Sequence, residues 1–300
     1  MKLVHLPFLA LLFLSSLLKA QMPETDIWLF DLKQVDNALF LTNPINFTNR
    51  PGYDNQPVFS ADGKYILYTS YRDGQSDIYK YNIDSATTTA FCKTPESEYS
   101  PAFTPDGQYV SVVRVEKDST QRIWKFPVNG GEPSLVLKDV PKVGYYSWVN
   151  NDSLIVFLLT HPESINAVSI KKQKPLFLAA NAGRCFMADA QGVFFINKEN
   201  EKAWRFDRIS DKGTRALHPF GLSELPTLTP GYEDFVVLKN DDYSMLFMGK
   251  GAMLYQFVPS QSSQVSDCVP LQDLSGFGIK NITRMAISRD GKRIAVVSAN

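Results

Sequence analysis

Set aside a leader-like N-terminus and the chain offers little for chemistry: two histidines, three cysteines and a scatter of carboxylates. His161 and His218 each precede a proline, in "THPES" and "LHPFG". A general base needs a nucleophile within reach, and no Gly-x-Ser-x-Gly elbow occurs in the chain. Both histidines therefore read as residues of loops between strands. A histidine-built zinc site would need more imidazoles than two distant ones. Asp241 and Asp242 in "NDDYS" could lend carboxylates to calcium but lack the spacing of a calcium loop of about twelve residues. They read as a solvated turn between the second and third strands of their repeat. "GKGA" at Gly249 to Ala252 lacks the rest of a phosphate-cradling loop. No cofactor and no metal is implied.

Cys92, Cys185 and Cys268 lie too far apart for paired zinc ligands. Cys92 in "TAFCKT" and Cys185 in "GRCFMA" sit in apolar runs, where a thiol behaves as a small hydrophobe.

The elements that must position any site are legible from repetition. "FSADGKYILYTSYRDGQSDIYKYNI" from Phe59 is echoed by "FTPDGQYVSVVRVEKDSTQRIWKFPV" from Phe103. Aligning on the large apolar residue ahead of each turn gives Phe59, Phe103, Trp148, Phe186, Leu228 and Ile287. Units of about 40 to 50 residues, each with several short strands, are the mark of propeller blades. A third-strand landmark recurs at Tyr79, Trp124, Trp204 and Phe247, and again near the start as "DIWLFDL", Asp26 to Leu32. The last unit, "RMAISRDGKRIAVVSAN", stops after two strands. The expectation is an all-β, six-bladed β-propeller in which N-terminal strands complete the C-terminal blade, because a two-stranded stub would expose open edges. Pro259 to Lys280 reads as an inserted surface loop.

The chain opens "MKLVHLPFLALLFLSSLLKAQ", with a positive start, an apolar stretch and a small residue at Ala20. That pattern predicts a signal peptide over residues 1–20, cleaved near Ala20, with one propeller domain over 21–300 and a periplasmic or secreted location. The apolar stretch is short for a bilayer span, so no transmembrane anchor is expected after cleavage. Acidic and basic side chains balance at 31 each. Without a basic stripe, nucleic acid is excluded as a partner.

"PVFSADGKYILYTSYRDGQSDIYKYNI" and "PAFTPDGQYVSVV" resemble the WD40-like repeats of TolB-type β-propellers, with "ISRDGKRIAVV" a partial third match. In that family TolB itself carries an α/β domain ahead of the propeller and works in the periplasm with an outer-membrane lipoprotein. Only Gln21 to Thr25 separate the leader from the first strand here, so the resemblance implies a propeller serving as a protein or ligand platform. The same repeats form the non-catalytic domain of exported serine peptidases, which raises an enzyme alternative.

In a propeller, residues just ahead of each innermost strand gather around the central tunnel. Counting three to five positions ahead of the anchors gives Asp54, Asn55, Glu98, Tyr99, Tyr145, Asn181, Glu224 and Arg284. Their hydrogen-bonding and stacking groups suit a saccharide or a protein segment. The expected function is an exported, non-catalytic scaffold binding an envelope protein or saccharide. The alternative is a polysaccharide lyase or hydrolase using the tunnel pocket. Oligomeric state is not legible.

The odd cysteine count sets a first prediction. Denatured, unreduced protein should titrate at least one free thiol per chain with a disulfide reagent; complete absence of thiol would refute it.

Overall fold

Three of the repeats turn on one device. The hydroxyls of Ser60, Thr104 and Ser288 each donate to the carboxylate two residues on, Asp62, Asp106 and Asp290, at 2.6 Å. The same carboxylate oxygen accepts the amide of Lys64, Gln108 or Lys292 at 3.0–3.1 Å. Gly63, Gly107 and Gly291 sit between, at φ 68°, 69° and 68°, where a side chain would be strained. These hydrogen bonds favour the charged form, and each aspartate is held below the ordinary carboxylate range chiefly by its hydroxyl partner. The Asp-Gly signal is thus a reversal whose geometry is encoded locally.

The computed structural model describes residues 22–35, 38–189, 192–202, 204–209, 215–217, 234–239, 244–257 and 268–299. The leader expected over 1–20 lies outside them. Two strands come first: β1 (Thr25–Val35) and β2 (Ala38–Asn46). The first complete blade holds β3 (Asp54–Phe59), β4 (Tyr65–Arg72), β5 (Gln75–Asn82) and β6 (Thr87–Cys92). The next holds β7 (Ser97–Phe103), β8 (Tyr109–Val115), β9 (Gln121–Pro127) and β10 (Ser134–Leu135). A third has β11 (Val143–Asn150), β12 (Ser153–Leu158), β13 (Ser164–Ser169) and β14 (Pro175–Ala180). The fourth has β15 (Ala182–Asp189), β16 (Gly192–Asn197), β17 (Arg205–Ile209) and β18 (Arg215–Leu217). The fifth has β19 (Phe235–Lys239), β20 (Ser244–Lys250), β21 (Met253–Phe257) and β22 (Cys268–Asp273). β23 (Asn281–Ile287) and β24 (Arg293–Ala299) end the chain.

Each blade is a four-stranded antiparallel sheet, and the six sheets form the propeller expected from the repeats. The closing sheet runs β2-β1-β24-β23, so the N-terminal strands do complete the C-terminal blade. β1 pairs with β24 from Thr25 opposite Ala299 to Asp31 opposite Arg293. Thr25 also joins the closing blade to the first complete one: its hydroxyl donates to the Asp54 carbonyl at 2.8 Å, and its amide donates to the Gly52 carbonyl at 3.0 Å. Among the described residues the helical piece is a single 3-10 turn, Ser275–Phe277, and no helix is long and apolar enough to cross a membrane.

Apolar side chains fill the spaces between neighbouring blades. Ile27, Leu29, Ala295 and Val297 of the closing blade pack with Ile66, Tyr68, Tyr79 and Tyr81 of the next. Leu67, Ile78 and Cys92 face the other way, onto Val110, Val112 and Phe126. Second strands are therefore covered on both faces, which is why β12 ("SLIVFL") and β16 ("GVFFIN") read as unbroken apolar runs rather than alternating ones.

The structure corrects the reading of the fifth blade. Its inner strand is Phe235–Lys239, and Leu238 opposite Met245 occupies the register that Phe59 holds opposite Ile66. Leu228 lies outside the described residues. Phe247 accordingly belongs to the second strand, and Asp241 and Asp242 lie outside the described residues. The stretch expected as a loop at 259–280 contains β22 and the 3-10 turn. The cause is the short apolar run "FVVL", which pairs as an inner strand although no Asp-Gly signal follows it.

Closure sets a second prediction. Deleting Asp26–Leu32 strips β24 of its outer partner and should cost the protein its single cooperative melt or drive it to aggregate. A truncated protein melting like the intact chain would overturn the closure.

Candidate ligand-binding site in the central channel

Five of the inner strands carry a register shift where they face the channel. The pairing slips between Asn55 and Val58, Tyr99 and Ala102, Val143 and Tyr145, Ala182 and Phe186, and Ile282 and Arg284. Such shifts free a strand from its ladder and re-aim side chains. In the first two complete blades the shift falls at Gln56-Pro57 and Ser100-Pro101, with Gln56 at φ 59° and Ser100 at φ 52°. Proline has no amide hydrogen to give a ladder, which suits it to these positions. The Gln56 side-chain oxygen then accepts both the Ser100 amide and the Thr69 hydroxyl at 2.7 Å, tying neighbouring blades together.

Six inner segments meet around a cavity of about 170 Å³, lined among others by Gln56, Ser100, Tyr145, Arg184, Asp234 and Arg284. Among the described residues its charged lining consists of two arginines and one aspartate. Arg184 donates to Asp234 Oδ2 through Nη2 at 2.5 Å and through Nε at 3.2 Å, and donates to the Thr283 carbonyl at 3.2 Å. Arg284 stands farther off, with Nε 3.9 Å from Asp234 Oδ1. Its guanidinium lies over the Tyr145 ring, 5.1 Å from the centroid. Tyr145 is propped edge-on by Phe157 at 5.8 Å.

Two further groups keep their protons here. Burial pushes the Tyr53 phenol up to about 12, against the pull of Arg284. Burial likewise pushes the Cys185 thiol up to about 12; its sulfur bonds the Phe235 backbone at 3.3–3.4 Å, so it serves the blade as a weak hydrogen-bonding hydrophobe. Cys92 is buried, and neither cysteine is in a disulfide. Among the described residues no three His, Cys, Asp or Glu side chains converge as metal ligands.

Of the residues read from sequence, Tyr145 and Arg284 line this cavity. Tyr99 lies close enough to act electrostatically on Tyr53, alongside Tyr145 and Arg284. The others are placed elsewhere. Asp54 is fully buried, accepting from Ser70 Oγ at 2.5 Å and Arg50 Nη2 at 3.1 Å. Asn55 caps the Gln56 amide at 2.7 Å. Glu98 is fully buried against Arg114 at 3.1 Å and Thr94 at 2.5 Å. Asn181 is an exposed residue at φ 52° in the link between the third and fourth blades. Glu224 lies outside the described residues. Sequence reading missed Tyr53, Arg184 and Asp234. Asp234 follows directly once "FVVL" is taken as the inner strand, since it then occupies the position just ahead of it.

The comparisons fit this architecture. The family profile described as the TolB beta propeller domain matches residues 20–187. The Tol-Pal system protein TolB of Desulfosudis oleivorans is 28% identical over 88 residues, which is 29% of this chain and 20% of that protein. The match thus spans about a fifth of that relative's length. A protein of Agrobacterium tumefaciens assigned as TolB aligns over 93% of this chain and 99% of its own, with a TM-score of 0.65 at 14% identity. An oligogalacturonate lyase solved with manganese aligns over 90% of this chain and 78% of its own, at a TM-score of 0.51 and 12% identity. The fold is therefore shared with both TolB proteins and an enzyme, and fold alone does not separate their functions.

Glu98 sets a third prediction. Burial raises its carboxyl to about 7, while Thr94 and Arg114 pull the other way, and its second oxygen is buried without a hydrogen-bond partner. The folded form then holds a proton that the unfolded chain releases near 4.5. Stability from this group is full below that value and is lost as pH rises through about 7. Glu98→Gln should match the parent melt in acid and exceed it by a few degrees at about pH 8, at roughly 2–4 °C per kcal/mol. Melting curves across that range decide it; an equal or lower melt at alkaline pH would show that the ionised pair stabilises the blade.

Proposed function

Because this chain belongs to the TolB beta-propeller domain family, we propose that it is an exported binding scaffold of the cell envelope, periplasmic or secreted. On this reading it holds a protein or saccharide in its central channel. The observation that carries the reading is the convergence of residues from all six inner segments on one cavity. Sites assembled from separate rigid elements, concave and with a few placed polar groups, are how folded domains bind ligands. From the sequence-derived set, Tyr145, Arg284 and Tyr99 are proposed as contact residues, joined by Tyr53, Arg184 and Asp234.

Binding is favoured over catalysis by the condition of the cavity's carboxylate. Asp234 is engaged by Arg184 through two N–H groups, with Arg284 beside it. A proton acceptor for lyase or hydrolase chemistry would need an oxygen free to face the substrate. Tyr53 and Cys185 hold their protons and supply neither base nor nucleophile near neutral pH.

The test is copurification of the tagged, exported protein from envelope extracts of its source, alongside a Tyr145→Ala variant. A stoichiometric protein or glycan should accompany the parent and be lost by at least about tenfold from the variant, with the melt changed little. Retention by the variant would move the site away from the channel.

A further inference from the structure

The polar groups of the cavity are unequally provided for, and this bears on what could occupy it. Arg284 is 15% exposed at its side chain, so its guanidinium has little access to bulk water. Among the described residues it makes no hydrogen bond. Its contacts are the 3.9 Å approach to Asp234 and the face of Tyr145. A guanidinium carries five N–H donors and cannot shed its charge in a protein. Buried polar groups in folded proteins find partners, and a charged group left without one is expensive. Asp234 does not meet the need, since Arg184 takes it at hydrogen-bonding distance. Among the described lining residues the arginines outnumber the aspartate two to one, and the donors of Arg284 are unspent.

Two of the acceptors, by contrast, are already used, while the Ser100 hydroxyl is buried without a hydrogen-bond partner. The Gln56 oxygen takes two hydrogen bonds, from the Ser100 amide and the Thr69 hydroxyl. The Ser100 carbonyl accepts the Tyr146 hydroxyl at 3.1 Å. The remaining wall is largely apolar, with Pro57, Pro101, Ala102, Phe186, Phe235 and Met285. A sugar ring brings several hydroxyl donors that would compete for these few acceptors. An ionised carboxylate is acceptor-only and brings one negative charge. Its planar oxygens match a guanidinium fork, and its aliphatic carrier suits the apolar wall.

We propose that the channel cavity binds a carboxylate of a peptide or protein partner, an acidic side chain or a chain terminus, with Arg284 as its principal donor. This rests on the channel reading above and narrows it to one ligand chemistry. A volume of about 170 Å³ admits roughly one amino-acid residue, so the partner inserts a single acidic residue while the rest of its contact lies outside.

The experiment uses the whole exported protein and defined probes: N-acetyl-L-glutamate, its neutral counterpart N-acetyl-L-glutamine, glucuronate and glucose. Binding is followed by calorimetry and by the arginine Nε–Hε resonances in NMR, at low salt. The acidic amino-acid probe should bind and shift the Arg284 resonance, with the amide binding at least about tenfold more weakly. Arg284→Met should lose the same factor, and Arg284→Lys should retain part of it, because a point charge remains without the fork. If Arg284→Met fails to fold, the acid-against-amide comparison on the parent protein still decides. Equal binding of acid and amide, or no shift at Arg284, overturns the proposal. Tighter binding of glucuronate overturns the peptide source. If an envelope partner still depends on Tyr145 while the acid is not preferred, the channel reading survives and this inference alone falls.

Discussion

The pairing of β1 with β24 is the constraint on which the rest of the molecule depends. A ring of blades has no intrinsic end, and each blade buries its apolar faces only against its neighbours. Without that pairing, β24 would present an unpaired edge, and the apolar layer of Ile27, Leu29, Ala295 and Val297 against Ile66 and Tyr68 would be missing. The contact joins the two ends of the sequence, so its loop-closure entropy is set against the burial of a whole interblade layer. Thr25 adds a short link from the closing strand to Asp54, at the start of the first inner strand. Closure is in this way coupled to the geometry of the channel wall.

The channel owes its character to how the inner strands depart from regular pairing. An uninterrupted ladder would alternate its side chains between the two faces of the blade. The shifts at Gln56-Pro57, Ser100-Pro101 and the corresponding points of three other blades break that alternation where the strands meet. Arg184, Asp234, Tyr145 and Arg284 come from four blades and have no relation to one another along the chain. Rigid neighbours hold them together: Phe157 behind Tyr145, and the Thr283 carbonyl on Arg184.

Buried carboxylates elsewhere in the molecule serve the blades themselves. Asp54 with Arg50 and Ser70, Glu98 with Arg114 and Thr94, and Asp207 with Asn197 and Arg205 are ion-paired or hydrogen-bonded struts that share this design. Burial opposes ionisation in Asp54 and Glu98 alike, raising both carboxyls despite their cationic partners. A strut of this kind is costly to break on one side only, since the partner is left as an uncompensated charge. The polar residues of the inner strands thus divide between fixing blades and facing the channel.

What the sequence determined by itself is the part of the structure written in local terms. Ser60-x-Asp62-Gly63 and its two copies close their turns with bonds among residues at most five apart, so they are legible wherever they occur. Repeated strands of that kind imply blades, and a two-stranded end facing a stray third strand implies closure. The fifth blade was misplaced because "FVVL" carries no such turn signal and is recognised as an inner strand only through its pairing with β20. The division of the site was decided by tertiary structure alone. Asp54 and Tyr145 stand at similar offsets from their anchors, yet one turns into its blade to meet Arg50 and the other faces the channel beneath Arg284. Which way each points depends on a register shift of one or two residues and on the cation it meets, Arg50 four residues away for Asp54 and Arg284 of the closing blade for Tyr145. A period of about 40 to 50 residues carries no information on either.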